Sequence, residues 1–251
     1  MNPSQFSNNA RASYVQDMFA RIAHRYDLMN RLMSAGQDVR WRKEVIHRAS
    51  LTPGCCLLDL GAGTGDLARE AARQQPTCRV IAADFTMKMM RVGQKRGINP
   101  QNRATPFLSW CSADALRLPF PNETFDAVVS GFLMRNVADI DQCLAEQYRV
   151  LKQGGRIVTL DTTRPRSGFF TPVVQMQLRL VIPTLGRWLS GQADAYAYLP
   201  GSTQSFLTAE QLAARLSAAG LQQVGFHRQM FGTIAIHWAT KPFTPGLFTA
   251  T

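Results

Sequence analysis

The sequence predicts an α/β protein built on a doubly wound, mostly parallel sheet of seven strands. From residue 55 onward, short apolar runs alternate with amphipathic stretches at helical spacing, which is the pattern of consecutive βαβ units. A glycine-rich turn over residues 59–66 follows the first apolar run and precedes a helical pattern, as at the nucleotide-type sites of such sheets. Two strand-like runs near the C-terminus predict a closing hairpin.

The elements of this sheet can be assigned in order along the chain. The predicted strands cover 55–60, 79–84, 106–110, 125–130 and 156–161, and the closing hairpin covers 223–230 and 233–238. The predicted helices between them cover 66–75, 86–97, 139–150 and 208–219. Thr208 and Gln211 predict a capping box at the start of the last of these helices. Gln153-Gly154-Gly155 predicts a C-cap behind the third helix.

Two regions lie outside this alternation. Residues 11–50 predict two helices with a break at Ser34-Ala35-Gly36, and Pro53-Gly54 ends the second of them. Residues 164–206 hold several prolines among apolar and aromatic side chains, which indicates a helical insertion acting as a lid. We therefore predict an N-terminal helical cap over 1–50 and a cofactor-binding domain over 51–251 that carries the insertion.

Composition bounds the class of protein. The chain has 251 residues, 45% hydrophobic and 18% charged, which suits one domain with extensions or at most two small domains. No apolar run approaches the ~20 residues of a membrane span, and the polar N-terminus argues against a signal peptide. The five cysteines lack metal-ligand spacing, so we predict no metal site and buried thiols in a reducing cytosol.

The glycine turn itself indicates the ligand. Its residues are Asp59-Leu60-Gly61-Ala62-Gly63-Thr64-Gly65-Asp66, and Asp66 stands where a dinucleotide fingerprint has its third glycine. The remaining pattern resembles that of the S-adenosylmethionine (SAM) methyltransferases, which bind an amino acid and a sulfonium. We predict that Gly61, Gly63 and Gly65 let the backbone approach the cofactor. Thr64 would contribute its hydroxyl and backbone, and Asp59 and Asp66 would hold the ammonium group.

Two further strand ends supply candidate cofactor contacts. Asp84 ends the second predicted strand, where a carboxylate can accept both ribose hydroxyls. Asp114 and Ala115 follow the third predicted strand in the run Ser112-Ala113-Asp114-Ala115. We predict that Asp114 reads the adenine amine and that the small Ala115 lets the ring lie flat.

A family resemblance rests on motifs outside the glycine turn. These are Phe19–Asn30, Ser34, Gly36 and Trp41-Arg42, then Arg135–Asp139, Tyr196–Pro200 and Gly232–His237. Together they resemble the ubiquinone/menaquinone biosynthesis C-methyltransferases from about Tyr14 to Pro242. The resemblance implies the Rossmann-like class I methyltransferase fold. It also implies methyl transfer from SAM to a ring carbon of a prenylated quinol, with demethylmenaquinol as the preferred acceptor.

The resemblance also implies which residues act on the quinol. Aromatic carbon is a poor nucleophile, and loss of a proton from a ring hydroxyl pushes charge onto the ortho carbon, which can then attack the methyl group. Arg135 is predicted to stabilise the oxyanion, and Asn136 to orient it or a water. Tyr26 is predicted to contact the quinol or the cofactor carboxylate. His24 is a weaker candidate for accepting the ring proton, because a lone helical histidine is more often structural.

One segment departs from the family pattern. The family has Ser-Phe-Gly-hydrophobic-Arg-Asn after the fourth strand, whereas this chain has Gly131-Phe132-Leu133-Met134-Arg135-Asn136. A serine contact is therefore lost unless Ser130 supplies it, and Leu133 narrows the loop. This departure favours a second interpretation, another aromatic or lipid acceptor, including 2-polyprenyl-6-methoxy-1,4-benzoquinol. A third interpretation is a SAM-binding protein without catalysis.

Net charge and its distribution indicate the partners. The net charge is +11, and no acid occurs between Asp161 and Asp194, an apolar stretch that carries several arginines. A stretch that is both basic and apolar is typical of a membrane-facing segment. We expect a cytoplasmic protein in peripheral contact with the inner face of an anionic membrane, where a prenylated quinol resides. No nucleic-acid partner is expected, because no RNA-binding module is recognisable, and homo-oligomerisation is left open.

Overall fold

The computed structural model describes residues 16–96, 107–164 and 206–243. The described residues form a seven-stranded sheet in the order β3-β2-β1-β4-β5-β7-β6. Its first five strands pair in parallel, and β7 is antiparallel to both β5 and β6. The strands are β1 Cys56–Leu60, β2 Arg79–Asp84, β3 Leu108–Ser112, β4 Phe125–Gly131, β5 Leu151–Thr162, β6 Gln222–Gln229 and β7 Ile234–Thr240. The predicted sheet, including its closing hairpin, is confirmed.

Helices connect these strands and precede the first of them. A helical segment over 16–22 comes before α1, and a 3₁₀ turn joins β6 to β7. The helices are α1 Tyr26–Met33, α2 Asp38–Ala49, α3 Asp66–Gln74, α4 Met87–Lys95, α5 Ile140–Val150 and α6 Ala209–Ala218. The predicted capping box of α6 is confirmed, since Thr208 accepts from the Gln211 N–H and the Gln211 side chain accepts from the Thr208 N–H.

Several predicted boundaries differ from the structure, and β5 begins at Leu151, five residues earlier than predicted. The N-terminal helices break near residues 34–36 as predicted, but an additional turn over 23–25 separates segment 16–22 from α1. Strand β3 lies two residues further along than predicted, so Ser112 belongs to the strand. The predicted C-cap at 153–155 is wrong, because α5 ends at Val150 and the chain passes directly into β5. Gly154, with φ +73°, lies where the register between β4 and β5 shifts.

The core occupies both faces of the sheet. On one face Leu58 and Val128 pack with Leu144 of α5 and Leu212 of α6. On the other face α2 and α3 cover the sheet, and Trp41, 2% exposed, is the largest side chain buried there. Helix α2 is thus packed against the sheet. The predicted boundary at residue 50 between a helical cap and a cofactor-binding domain stays a prediction. Most of the predicted insertion over 164–206 lies outside the described residues.

Candidate active site

A cavity of about 440 Å³ opens at the carboxyl ends of β1, β2 and β4. Strand order reverses at β1, and such a switch point is where parallel sheets leave a crevice for ligands. A smaller recess behind the glycine turn reaches Asp59 and Thr64. The cavity and the recess share one wall, and the residues common to both are Tyr26, Gly61, Gly63, Gly131 and Phe132.

The glycine turn adopts the backbone that its sequence predicts. Gly61, Gly63 and Gly65 have φ of +71°, +58° and +82°, a region that side chains with a Cβ rarely adopt. A Cβ on Gly65 would lie 2.5 Å from the ring of Trp110, and one on Gly61 would lie 2.9 Å from Leu133. The positive φ therefore favours glycine at all three positions, and the Trp110 ring leaves no room for a Cβ at Gly65.

Asp84 connects β2 to the glycine turn. Its Oδ2 accepts a hydrogen bond of 2.7 Å from the Gly63 N–H, and its Oδ1 accepts one of 2.6 Å from the Thr86 N–H. Burial raises the pKa of this carboxyl, and the two N–H donors oppose the rise. Asp84 lines the cavity, and it also fixes the turn. Its contact with a ribose stays a prediction.

Asp59 is a buried carboxylate with one uncompensated oxygen. Oδ2 accepts from the Ala68 N–H at 2.9 Å, whereas Oδ1 has no hydrogen-bond partner. Burial raises the pKa of Asp59 to about 7, the Ala68 N–H opposes the rise, and the charges of Asp84 and Asp66 add to it. Because Asp59 lines the recess, its free oxygen is available to a cationic or hydrogen-bonding ligand group there.

A hydrogen bond and an ion pair join the N-terminal helices to the glycine turn and the start of α3. The Thr64 hydroxyl donates to Asp27 Oδ1 at 2.8 Å, and Asp27 also pairs with Arg96 behind α4. Asp66 pairs with Arg69 at 2.6 Å and with Arg42 of α2 at 3.2 Å. No role is predicted from the sequence for Asp27 or Arg42, although both stand inside the motifs that carry the family resemblance. Asp66 is thus engaged by two arginines, and its contact with an ammonium group stays a prediction.

The loop after β3 brings Asp114 and Ala115 to the cavity wall. Asp114 Oδ1 accepts from the Leu116 N–H at 2.9 Å, which is an Asx turn that fixes the loop. The remaining carboxylate oxygen is left for a ligand amine. The assignment of these two residues to adenine stays a prediction.

The predicted catalytic residues occupy two different positions. Tyr26 and Asn136 line the cavity, where Tyr26 packs edge-to-face on Phe19 and Asn136 Nδ2 donates to the Phe132 carbonyl at 2.8 Å. Arg135 is not among the residues that line it. The Arg135 guanidinium is buried, with Nη1 3.2 Å from Asp161 Oδ1, and it stacks beneath the Phe132 ring. Arg135 therefore holds the loop that carries Asn136, and direct contact with an oxyanion stays a prediction.

The departure at Gly131–Leu133 has a clear structural consequence. Leu133 packs over Gly61 and lines the cavity, so it occupies volume beside the glycine turn. Ser130 does not take over the missing serine contact, because it is fully buried and its Oγ lies 2.5 Å from Thr159 Oγ1. His24 is exposed. The described residues contain no group of three or more potential metal ligands.

Comparison with known proteins identifies the family. The model of the ubiE/COQ5 methyltransferase family matches residues 7–241. The chain belongs to this family. The predicted family and enzyme class, a SAM-dependent methyltransferase, are therefore confirmed.

The relatives are similar over nearly their whole length. A protein of Desulfotalea psychrophila named ubiquinone/menaquinone biosynthesis C-methyltransferase UbiE is 45% identical over 90% of this chain and 90% of its own. A Thermus thermophilus protein named demethylmenaquinone methyltransferase is 41% identical over 90% of this chain and 100% of its own.

Among solved structures, the [4+2]-cyclase SpnF has a TM-score of 0.61 at 20% identity and covers 82% of both chains. A Haemonchus contortus phosphoethanolamine N-methyltransferase 2 in complex with S-adenosyl-L-methionine has a TM-score of 0.62 at 15% identity. That alignment covers 81% of this chain and 53% of the other. At these identities the likeness shows the fold, and it confirms the predicted class I architecture.

Proposed function

We propose that this chain transfers the methyl group of SAM to a ring carbon of a prenylated quinol, with demethylmenaquinol as the acceptor. The observation that carries the proposal is membership in the ubiE/COQ5 methyltransferase family, with relatives named for this reaction that align over 90% of the chain. The cleft supports it, because strand-end carboxylates and a glycine turn meet beside an apolar wall.

The residues present fit the cofactor. When bound, S-adenosylmethionine supplies an electrophilic methyl group. The uncompensated Oδ1 of Asp59 suits the cofactor's ammonium group, and the turn at Gly61 and Gly63 leaves room for its backbone to approach a ligand. Asp84 and Asp114 line the cavity, and we assign to them the ribose hydroxyls and an amine of the cofactor, respectively.

The acceptor would bind against the wall formed by the loop after β4. Phe132, Leu133 and Val137 offer an apolar surface to an aromatic head group and exclude water from it. Tyr26 and Asn136 are polar side chains on the same wall that can hydrogen-bond to ring hydroxyls. Arg135, stacked behind Phe132 and paired with Asp161, would hold in place the loop that faces the oxyanion formed when a hydroxyl loses its proton. The acceptor ring carbon and the methyl carbon of SAM must approach to about 3 Å, and the loop after β4 would hold the ring in position for that approach.

The acceptor can be identified by transfer of labelled methyl from SAM. We expect product from a reduced, short-tail demethylmenaquinol analogue. A demethylated benzoquinol precursor of ubiquinol is the second candidate, because the Desulfotalea relative is named for both pathways. Product from neither acceptor, with the cofactor still bound, would contradict the quinol proposal and point to the Leu133 departure as the mark of another substrate.

Cofactor affinity should depend on the ionisation of Asp59. A cationic ammonium binds the ionised carboxylate, whose pKa in the cofactor-free protein is about 7. Affinity for S-adenosylhomocysteine should therefore rise about tenfold per pH unit below this pKa and level off above it. Isothermal titration calorimetry between pH 5 and pH 8 measures the dependence, and Asp59→Asn should bind weakly with a flatter profile. Asp141→Asn, on the surface of α5, is the matched control. An Asp59→Asn protein with the wild-type profile would exclude Asp59 as the ammonium partner.

A further inference from the structure

The N-terminal stretch 16–27 and helix α4 lie side by side at the rim of the cavity. At one end Gln16 Nε2 donates to the Phe85 carbonyl at 3.0 Å, at the start of α4. Midway, Ala23 packs with Met89 and Val92 in a small buried cluster that includes Phe19 and Tyr26. At the far end Asp27 pairs with Arg96, which directly follows α4. Residues 16–27 therefore run along α4, and the two elements share an outer surface.

This outer surface is strongly basic. The outward positions of the two elements include Arg21, Lys88, Arg91 and Lys95, all exposed, and none of them forms an ion pair with a described residue. The acid exposed on these two elements is Asp17. From Phe85 to Ala113 the sequence contains no acidic residue. The surface is therefore suited to an anionic partner.

Apolar side chains stand at the end of this surface nearest the cavity. Phe85 is 46% exposed and also lines the cavity, and Met87 is 47% exposed at the first position of α4. We define the rim surface as Arg21, Phe85, Met87, Lys88, Arg91 and Lys95. An exposed aromatic residue and a methionine beside unpaired cations have the composition of a surface that enters a lipid headgroup region.

We propose that the rim surface docks on an anionic lipid bilayer, with Phe85 and Met87 in the headgroup region and the cations at lipid phosphates. Docking in this orientation turns the cavity mouth toward the membrane. A quinol head group can then enter the cavity while its prenyl tail stays in the bilayer. This inference rests on the proposed function for the nature of the acceptor, but the charge and exposure of the surface stand independently of it. Among the described residues, no helix has the length and apolarity needed to cross a bilayer.

Vesicle sedimentation of the full chain tests the docking surface. The vesicles contain phosphatidylcholine alone or equal parts of phosphatidylcholine and phosphatidylglycerol. Each surface cation contributes roughly fivefold to partition onto an anionic membrane, so Lys88→Gln/Arg91→Gln/Lys95→Gln should bind the anionic vesicles roughly a hundredfold more weakly than the wild type. Met87→Ser should weaken binding several-fold through loss of apolar contact. The wild type should bind anionic vesicles far more tightly than neutral ones, and high salt should release it.

A matched variant separates this surface from net charge alone. Arg40→Gln/Lys43→Gln/Arg79→Gln removes the same number of exposed cations from α2 and from the start of β2, at the end of that strand opposite the cavity. It should bind anionic vesicles like the wild type. Equal loss in both triple variants, or equal binding of the wild type to both vesicle types, would overturn the proposal. Tighter, salt-dependent binding to RNA than to vesicles would replace it with a nucleic-acid surface.

Activity distinguishes failure of docking from failure of the proposed function. With a short-tail acceptor in solution, the α4 triple variant should keep the wild-type rate. With a long-tail acceptor embedded in anionic vesicles, the same variant should lose roughly as much kcat/KM as it loses in binding. If no quinol is methylated by any variant but the vesicle pattern holds, the docking surface stands and the acceptor assignment falls.

Discussion

Asp161→Asn should lower the free energy of unfolding by about 3–5 kcal/mol, because it removes the buried negative charge that pairs with the Arg135 guanidinium. Asp161 accepts from Arg135 Nη1 and from the Arg135 backbone N–H, both at 3.2 Å, and also from the Thr162 N–H at 2.7 Å. Burial raises the pKa of Asp161, and the neighbouring Arg135 opposes that rise. Chemical denaturation at neutral pH measures the loss.

Asp141→Asn is the control, because it makes the same change in a pair that faces solvent. Asp141 pairs with Arg215 and its side chain is 69% exposed, so the expected loss is less than about 1 kcal/mol. If the two variants lost equal stability, burial would not govern the strength of the Arg135–Asp161 pair.

Asp161→Asn should also lower kcat more than it weakens cofactor binding, because the loop that it releases carries Asn136 and Phe132 and not the glycine turn.

The sequence predicts the sheet well where strands are buried on both faces. Strands β1 and β4 are covered by helices on both sides, so they read as apolar runs between turns, and their predicted limits are within a residue of the structure. Strand β3 lies at the sheet edge and is only half-buried, with Ser109 and Ser112 exposed. Its apolar signal is correspondingly weak, which explains the shift of two residues.

The glycines at 153–155 illustrate a different limit. A left-handed glycine is used both at helix C-termini and at irregularities in strands, so the residue type alone does not separate the two. Here Val150 and Leu151 are both fully buried, and the chain must turn from α5 into β5 without a loop. The local pattern therefore predicts a cap, although the glycine belongs to the strand.

Candidate site residues at strand ends were predictable, and their partners were not. Asp59 and Asp84 lie on the neighbouring parallel strands β1 and β2. The carboxyl ends of these strands meet at one edge of the sheet by topology alone. The contact of Thr64 with Asp27 joins residues 37 apart, and that of Arg135 with Asp161 joins residues 26 apart. Such pairings depend on how helices and loops pack on the sheet. For the same reason the sequence predicts a role for Arg135 at the oxyanion, but not its position behind the cavity wall against Asp161.

Gly93→Ala should reduce affinity for S-adenosylhomocysteine by about ten- to a hundredfold, although Gly93 is not in the glycine turn. A Cβ at this position in α4 would lie 2.5 Å from the Thr64 carbonyl oxygen and 2.4 Å from the Trp110 ring. The Thr64 oxygen is backbone, so the turn itself must move, and overpacking of this kind costs about 1–3 kcal/mol. Displacing the turn also strains the hydrogen bond from the Gly63 N–H to Asp84.

Helix propensity predicts the opposite sign for this substitution. Alanine is favoured over glycine inside a helix by about 1 kcal/mol, so a helix free of such contacts would be stabilised. Gln94→Ala, at the exposed neighbouring position, should leave cofactor affinity unchanged and is the control. Thermal unfolding and calorimetric titration of both variants separate the two expectations. A Gly93→Ala protein that was more stable and bound the cofactor normally would show that α4 can move away from the turn, and that their close packing is not what shapes the cofactor site.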